Sequence, residues 1–332
     1  MVSNPKTILA DDLLICRILN GMWQVSGGHG QINRESAILE MMEYHKTGFT
    51  TWDLADIYGP AESYIGEFRK QLPPKELSKS QALTKFVPNP GPMTKSIVEY
   101  HIDQSLHKMN TDSLDLVQFH WWDYNNPSYL DALSHLSKLR DDGKIKHLGL
   151  TNFDTTRVKI MIEKGFKLVS NQVQYSILDQ RPEKSMVPFC QKHGIHLLTY
   201  GTLLGGFLSE KYLDSPEPHR ADLTTSSLQK YHNMIDAWGG WKLFQELLHV
   251  LSKIAKKHDS SIANVSTKFI LDKPSVAGVI IGARLGISEH RQDNNRVFDL
   301  QLDSQDHIMI NSVIGKSNEL FDIIGDCGDE YR

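Results

Sequence analysis

The sequence predicts an α/β protein built on parallel strands, and three observations carry that prediction. Short runs rich in Val, Ile, Leu, Thr and aromatic residues alternate with longer stretches of helical period along the 332 residues. From about residue 51 to about residue 198, strand centres follow one another at intervals of about 22–33 residues, which suits one βα unit each. Eight such strands allow a doubly wound open sheet or a (β/α)8 barrel. The third observation weakens the open sheet: the turn after the first strand, Gly27-Gly28-His29-Gly30, lacks the GxGxxG spacing, and helical period begins only near Asn33.

The strand candidates are 16–20, 50–53, 82–86, 114–120, 147–151, 168–173, 196–200 and 278–281. Between them, Ile97, His101, Ser105 and Leu106 share one face of a helix over 92–109, with Pro92 in its first turn. Leu130, Leu133, Leu136 and Leu139 do the same over 127–141, and Gly143 supplies the stop. A further helix over 183–193 ends at His193-Gly194. Pro216, Pro218 and the run Thr224–Ser227 predict a long surface loop over 201–235. Helices at 240–257 and 261–272 lead to the last strand. No linker or low-complexity tract divides the chain, so residues 1–332 read as one domain with an insertion over about 201–240.

Composition narrows the function classes. Apolar residues make up 40% and charged residues 23%, as in soluble globular proteins. Thirty-six basic against 40 acidic residues leave a net charge of −4, giving no basic surface for nucleic acid or an anionic membrane. No apolar run approaches the roughly 18 residues of a membrane helix. Three scattered cysteines, Cys16, Cys190 and Cys327, cannot build a disulfide framework. The start MVSNPKTILADDLLICR resembles no secretory signal, so a cytoplasmic protein is expected, and a chain able to bury its own core is expected to be a monomer. Walker, HExxH, GxSxG and EF-hand patterns are absent, and no metal site is expected.

In a barrel, catalytic residues gather at the C-terminal ends of the strands. Here those ends read Thr51-Trp52-Asp53, running on to Tyr58; Thr84-Lys85-Phe86; and Gln118-Phe119-His120. A phenol is a poor acid at neutral pH, with a reference value near 10. An ammonium beside it stabilises the phenolate, and an aspartate keeps that ammonium charged and in place. A neutral histidine can hydrogen-bond and orient a substrate oxygen. The set suits protonation of an oxygen that becomes an alkoxide. Each residue alone also fits packing or a structural ion pair; their joint occurrence at consecutive strand ends is the signal.

Through an ordered series of fragments, residues 8–316 resemble the aldo-keto reductase superfamily. They are Gly21-Met-Trp-Gln, Thr51-Trp-Asp-Leu-Ala-Asp-Ile-Tyr-Gly59, Leu83-Thr-Lys-Phe86, Val117-Gln-Phe-His120, Gly149-Leu-Thr-Asn-Phe153, Asn171-Gln-Val-Gln-Tyr175, Leu198-Thr-Tyr-Gly201 and Val279-Ile-Ile-Gly-Ala-Arg284. The resemblance implies a (β/α)8 TIM barrel with an N-terminal β-hairpin cap and a long insertion after the seventh strand. It also implies an NADP-dependent oxidoreductase reducing a small-molecule aldehyde or ketone. Tyr58 is then the general acid, Lys85 lowers its pKa, Asp53 pairs with Lys85, and His120 orients the carbonyl.

For NADPH, the resemblance assigns Thr151, Asn152 and Gln172 to the nicotinamide carboxamide and Tyr200 to stacking on the ring. Gly201, Leu203 and Lys211 lie along the pyrophosphate, Gly282 and Arg284 at the 2′-phosphate, and Asp293 and Asn294 at the adenine. Met22, Trp23 and Asp53 complete the cofactor set, and Trp23, Tyr58, His120 and Trp121 line the substrate. Lys85, Lys211 and Arg284 would place positive charge locally in an acidic protein. Thr151 stands where serine is common, and Gly201-Thr202 replaces the frequent Ser-Pro.

Other readings stay open. Lys85 could be a Schiff-base nucleophile, or the chain a non-catalytic NADPH-binding regulatory subunit of a partner protein. His193 and His196 read as structural, Trp122 as either pocket lining or packing, and Trp238 and Trp241 as either a lid or helix packing. Arg220 or His29 could anchor an anionic substrate.

Overall fold

The computed structural model describes residues 5–27 and 32–331; His29 and its glycine neighbours fall outside them. Ten strands form: β1 Lys6–Ala10, β2 Leu13–Cys16, β3 Ile18–Gly21, β4 Thr51–Asp53, β5 Gln81–Phe86, β6 Leu114–His120, β7 Ile145–Thr151, β8 Ser170–Gln174, β9 His196–Tyr200 and β10 Val276–Gly282. The last eight close a barrel of parallel strands in the order β10-β3-β4-β5-β6-β7-β8-β9. The expected strand over 16–20 spans a junction between two elements. Its first residue ends the antiparallel hairpin β1–β2, and the rest enters the barrel.

Two apolar clusters hold the barrel. Leu9, Leu13 and Ile15 of the hairpin pack against Leu19, Leu83, Leu116 and Leu198 inside it, plugging its N-terminal end. The larger cluster lies between the strands and the surrounding helices and includes Trp52, Phe68, Phe119, Leu133, Phe153 and Phe244. Side chains alternate between these layers along each strand. Near the C-terminal end of β6, Phe119 therefore faces the helix layer while Gln118 and His120 face inward.

The helices follow the sequence with two corrections. The segment predicted to be helical from Pro92 starts at Lys95, because Thr94 caps it by accepting from the Ile97 amide. The loop expected over 201–235 ends early, since Thr225 caps a helix over Ser226–Trp238 that buries Tyr231, Met234, Ile235 and Trp238. The hydroxyl run read as loop is that helix's start signal. Trp238 and Trp241 are buried in helix packing, not in a lid. None of the helices among the described residues is long and apolar enough to cross a membrane.

One buried ion pair ties the outer layer to the strands. Arg69, on the helix Ala61–Gln71, donates to Asp115 of β6 at 2.6 Å, and the same carboxylate accepts from the Ala82 amide and from Lys146. Burial alone would raise the Asp115 carboxyl, but Arg69 and Lys146 hold it below the ordinary carboxylate value. A lowered value in the folded state means that this stabilisation is complete at neutral pH and fades as pH falls below about 4. Asp115→Ala, which leaves Arg69 buried without a counter-charge, is expected to cost about 3–5 kcal/mol in urea unfolding at pH 7. The gap from wild type should narrow in acid, and equal stability of the two proteins at pH 7 would contradict the reading.

Candidate active site at the barrel mouth

Asp53 is the centre of the mouth. It ends β4, is 3% exposed, and takes three side-chain donors: Lys85 Nζ at 2.7 Å, Gln118 Nε2 at 2.9 Å and Gln172 Nε2 at 2.7 Å. Register brings them together, since β5 sets Lys85 beside Gln118 of β6 and β7 sets Thr151 beside Gln172 of β8. Gln172 also donates to Gln118 Oε1 at 2.7 Å. Gln118 was not assigned a role from the sequence, although its position two residues before His120 puts both on the same face of β6. The Gln172 amide nitrogen faces Asp53 and Gln118 within this network.

Lys85 Nζ donates also to the Leu54 carbonyl at 3.1 Å and lies 5.1 Å from the centre of the Tyr58 ring. The expected lowering of Tyr58 is reversed. Burial holds the phenol well above its ordinary value, and Asp53, Tyr331 and Asp56 add to the effect. Burial lowers Lys85 from its ordinary value against the opposing pull of Asp53. Tyr58 is thus a fully protonated acid at neutral pH. Nearby, burial pushes the Asp56 carboxyl up to about 7.

His120 Nδ1 lies 3.0 Å from the Thr151 carbonyl oxygen. A carbonyl only accepts, so Nδ1 carries the proton and Nε2 of the neutral ring presents a lone pair. Neutral His120 therefore suits accepting from a hydroxyl, and donating to a carbonyl oxygen from Nε2 requires the imidazolium. This revises the role expected for the neutral ring.

The aromatic walls also need a correction. Trp121 does not line the mouth: it is wholly buried, packs on Phe119, and donates its indole N–H to the Asp123 and Asn126 carbonyls. Strand alternation puts Trp122 there instead, edge-on to His120 with 4.2 Å between ring centres. Trp23, 39% exposed, stands edge-on to Tyr58 at 5.0 Å.

The chain's end closes the mouth, a feature that no sequence motif signals. Tyr331 stands edge-on to His120 and Trp122, at 6.3 and 6.2 Å. Its hydroxyl accepts from Lys230 at 2.7 Å and from Tyr200 at 3.2 Å. Glu330 accepts from Tyr200 and pairs at 3.0 Å with the buried Arg181, which Asp179 also holds. Asp326 accepts from the Thr155 amide and from Ser185.

The buried Thr151 hydroxyl makes no hydrogen bond. Asn152 adopts a left-handed backbone, φ 58, and its Oδ1 accepts from Tyr200 at 2.8 Å. An open hydroxyl beside a strained asparagine and a tyrosine fits a flat carboxamide and ring. Met22 is buried just after β3, its amide donating to the Asp53 carbonyl, and Leu203 precedes the left-handed Leu204, φ 50. Gly201, φ 72, has no room for a Cβ, which would stand 2.5 Å from the Tyr231 hydroxyl; one on Gly282 would collide with Gln24. Lys211 and Arg284 are exposed on the rim. Asp293 accepts from Asn264 and Ser261, and Asn294 is buried. The donor set fits a nicotinamide dinucleotide.

Glu330 and Tyr331 engage Tyr200, so removal of residues 330–332 is expected to tighten nicotinamide dinucleotide binding several-fold, by the inverse of the open fraction. Tryptophan fluorescence quenching reads this out. An unchanged Kd would show that the chain end and the cofactor do not compete.

The model of the Aldo/keto reductase family matches residues 17–314. The chain is 32% identical over 179 residues to flagellar radial spoke protein 5 of Chlamydomonas reinhardtii, covering 48% of this chain and 34% of that protein, so it spans about a third of that relative. It is 22% identical to the NADH-specific methylglyoxal reductase of Escherichia coli (strain K12), over 89% of this chain and 93% of that one. The glycerol dehydrogenase AKR11B4 from Gluconobacter oxydans shares its fold, with a TM-score of 0.77 and 21% identity over 95% and 96% of the two chains. The chain belongs to the aldo/keto reductase family.

Proposed function

We propose that the protein is an NADP-dependent oxidoreductase that reduces a small aldehyde or ketone to the alcohol, with Tyr58 as general acid. The observation that carries this reading is the convergence of Asp53, Tyr58, Lys85 and His120 on one mouth. The bound dinucleotide supplies a hydride. The protein's own contribution is positional and protic. Trp23, Trp122 and Tyr331 wall the carbonyl in and exclude water. Tyr58 delivers its proton to the carbonyl oxygen as negative charge develops there, and the nearby Lys85 ammonium stabilises the phenolate left behind. In the reverse direction the Tyr58 phenolate takes the proton back from the alcohol hydroxyl.

Lys85 as a Schiff-base nucleophile fits poorly, because Asp53 and the Leu54 carbonyl both accept hydrogen bonds from its ammonium and hold it in the charged form. Thr151, Asn152 and Tyr200 are read as the nicotinamide contacts, and Gly201, Leu203 and Lys211 as flanking the pyrophosphate. Gly282, Arg284, Asp293 and Asn294 are read as the adenosine side. The protein is taken to act in the cytosol as a monomer, in keeping with three free, buried cysteines.

Purified protein is expected to oxidise NADPH in the presence of a reactive aldehyde. Tyr58→Phe is expected to lower kcat by about 10²–10⁴-fold while NADPH binding persists. Full activity in that variant would exclude the acid role. Stable NADPH binding without turnover in the wild type would favour the regulatory-subunit reading instead. Arg284→Ala is expected to raise KM for NADPH by about 10–100-fold and leave NADH unaffected, as for loss of a charged hydrogen bond. Equal effects on both cofactors would remove the 2′-phosphate assignment.

A further inference from the structure

The insertion after β9 carries a cluster that the mouth does not use. His232, on the helix Ser226–Trp238, is 4% exposed and lies with its ring 6.3 Å from Phe207 and 6.3 Å from Trp241, nearly parallel to the latter. Its Nε2 lies 3.2 Å from Glu217 Oε1 and its Nδ1 3.4 Å from Asp236 Oδ2. Neither ring nitrogen has hydrogen-bonding geometry to a partner. A buried imidazole is therefore directed at two carboxylates without being satisfied by either, an arrangement that a polar side chain in a core rarely keeps.

The backbone prepares this convergence. Asp236 follows His232 by one helical turn, so both project from one face. Glu217 arrives from the loop between Pro216 and Pro218, whose fixed φ angles stiffen its approach. One imidazole nitrogen and one oxygen from each carboxylate lie within 4.8 Å of one another. Among the described residues neither Glu217 nor Asp236 pairs with a lysine or arginine. Arg220, on the same loop, donates to Asn233, and Lys230 is turned to Tyr331. Two negative charges thus face one imidazole, and a cation would balance them.

We propose that Glu217, His232 and Asp236 form a binding site for a borderline divalent transition-metal ion of the Zn²⁺ type, with water completing its coordination. Hard ions such as Mg²⁺ favour all-oxygen sets, and the imidazole selects against them. The ion would clasp the insertion loop to the helix that also carries Lys230 and Tyr231, and so steady the side of the mouth on which the chain end rests. The sequence signal is the His-x-x-x-Asp spacing on a helix, which went unread because that segment was taken for loop.

Full-length protein stripped with chelator and titrated calorimetrically with ZnCl₂ is expected to bind one ion per chain, with Mg²⁺ at least tenfold weaker. Co²⁺ in its place should give visible d–d bands. Glu217→Gln and Asp236→Asn alter exposed carboxylates without changing volume. Each should weaken Zn²⁺ binding at least tenfold and abolish the Zn²⁺-induced rise in Tm, with circular dichroism unchanged. No stoichiometric uptake, equal affinity for Mg²⁺, or Zn²⁺ binding unaltered in the double variant would overturn the proposal. The last result would place the ion on other histidines.

Discussion

The carboxylate of Asp53 is the constraint on which the mouth depends. A buried negative charge is tolerated only when it is fully paired. Here the pairing comes from three different strands, through Lys85, Gln118 and Gln172. None of the three is near Asp53 in sequence, so the network exists only once β4, β5, β6 and β8 lie in register around a closed barrel. Barrel closure and site assembly are in that sense one event. The apolar plug at the opposite end, built by the hairpin, lets the strands keep that register while polar side chains occupy the upper layer.

The same burial that secures Asp53 sets the state of Tyr58. A lysine nearby was expected to pull the phenol down. In the closed mouth, loss of solvent outweighs it, with Asp53, Tyr331 and Asp56 all adding to the rise. The result is an acid that holds its proton until something more basic is placed against it. A developing alkoxide meets that requirement, and bulk water at neutral pH does not. The chain end contributes directly, since Tyr331 both covers the site and raises Tyr58.

Much of this was legible in the sequence because it depends on local pattern. The strand spacing marked the barrel, and Asp53, Lys85 and His120 were readable as strand-end residues, with Tyr58 close behind Asp53. What was missed depends on partners far away in the chain. Gln118 looks like an ordinary strand amide until Gln172 and Asp53 are beside it. Trp121 and Trp122 are adjacent aromatics, and only the parity of β6 continued past His120 decides which faces the mouth. Thr225 reads as loop from composition and as a helix cap from geometry. The closing segment from Asp326 to Tyr331 carries no periodicity at all. Its place is set by Arg181, Lys230 and Tyr200, each more than 100 residues away.

The distribution of positive charge also changes meaning. An acidic chain that binds a phosphorylated dinucleotide needs cations where the phosphates lie, and Lys85 was at first counted among them. Asp53 neutralises Lys85 inside the barrel, where it is 3% exposed. It can serve a proton on a neighbouring phenol, but it offers little field to a phosphate on the rim. In the proposed reading, that work falls to exposed residues such as Lys211 and Arg284. Exposed charges act over a Debye length of about 8 Å at physiological salt, so they discriminate by direct contact more than by long-range attraction. Burial thus divides two lysines of one formal charge between two tasks. In that reading the interior one serves proton transfer and the rim one phosphate recognition.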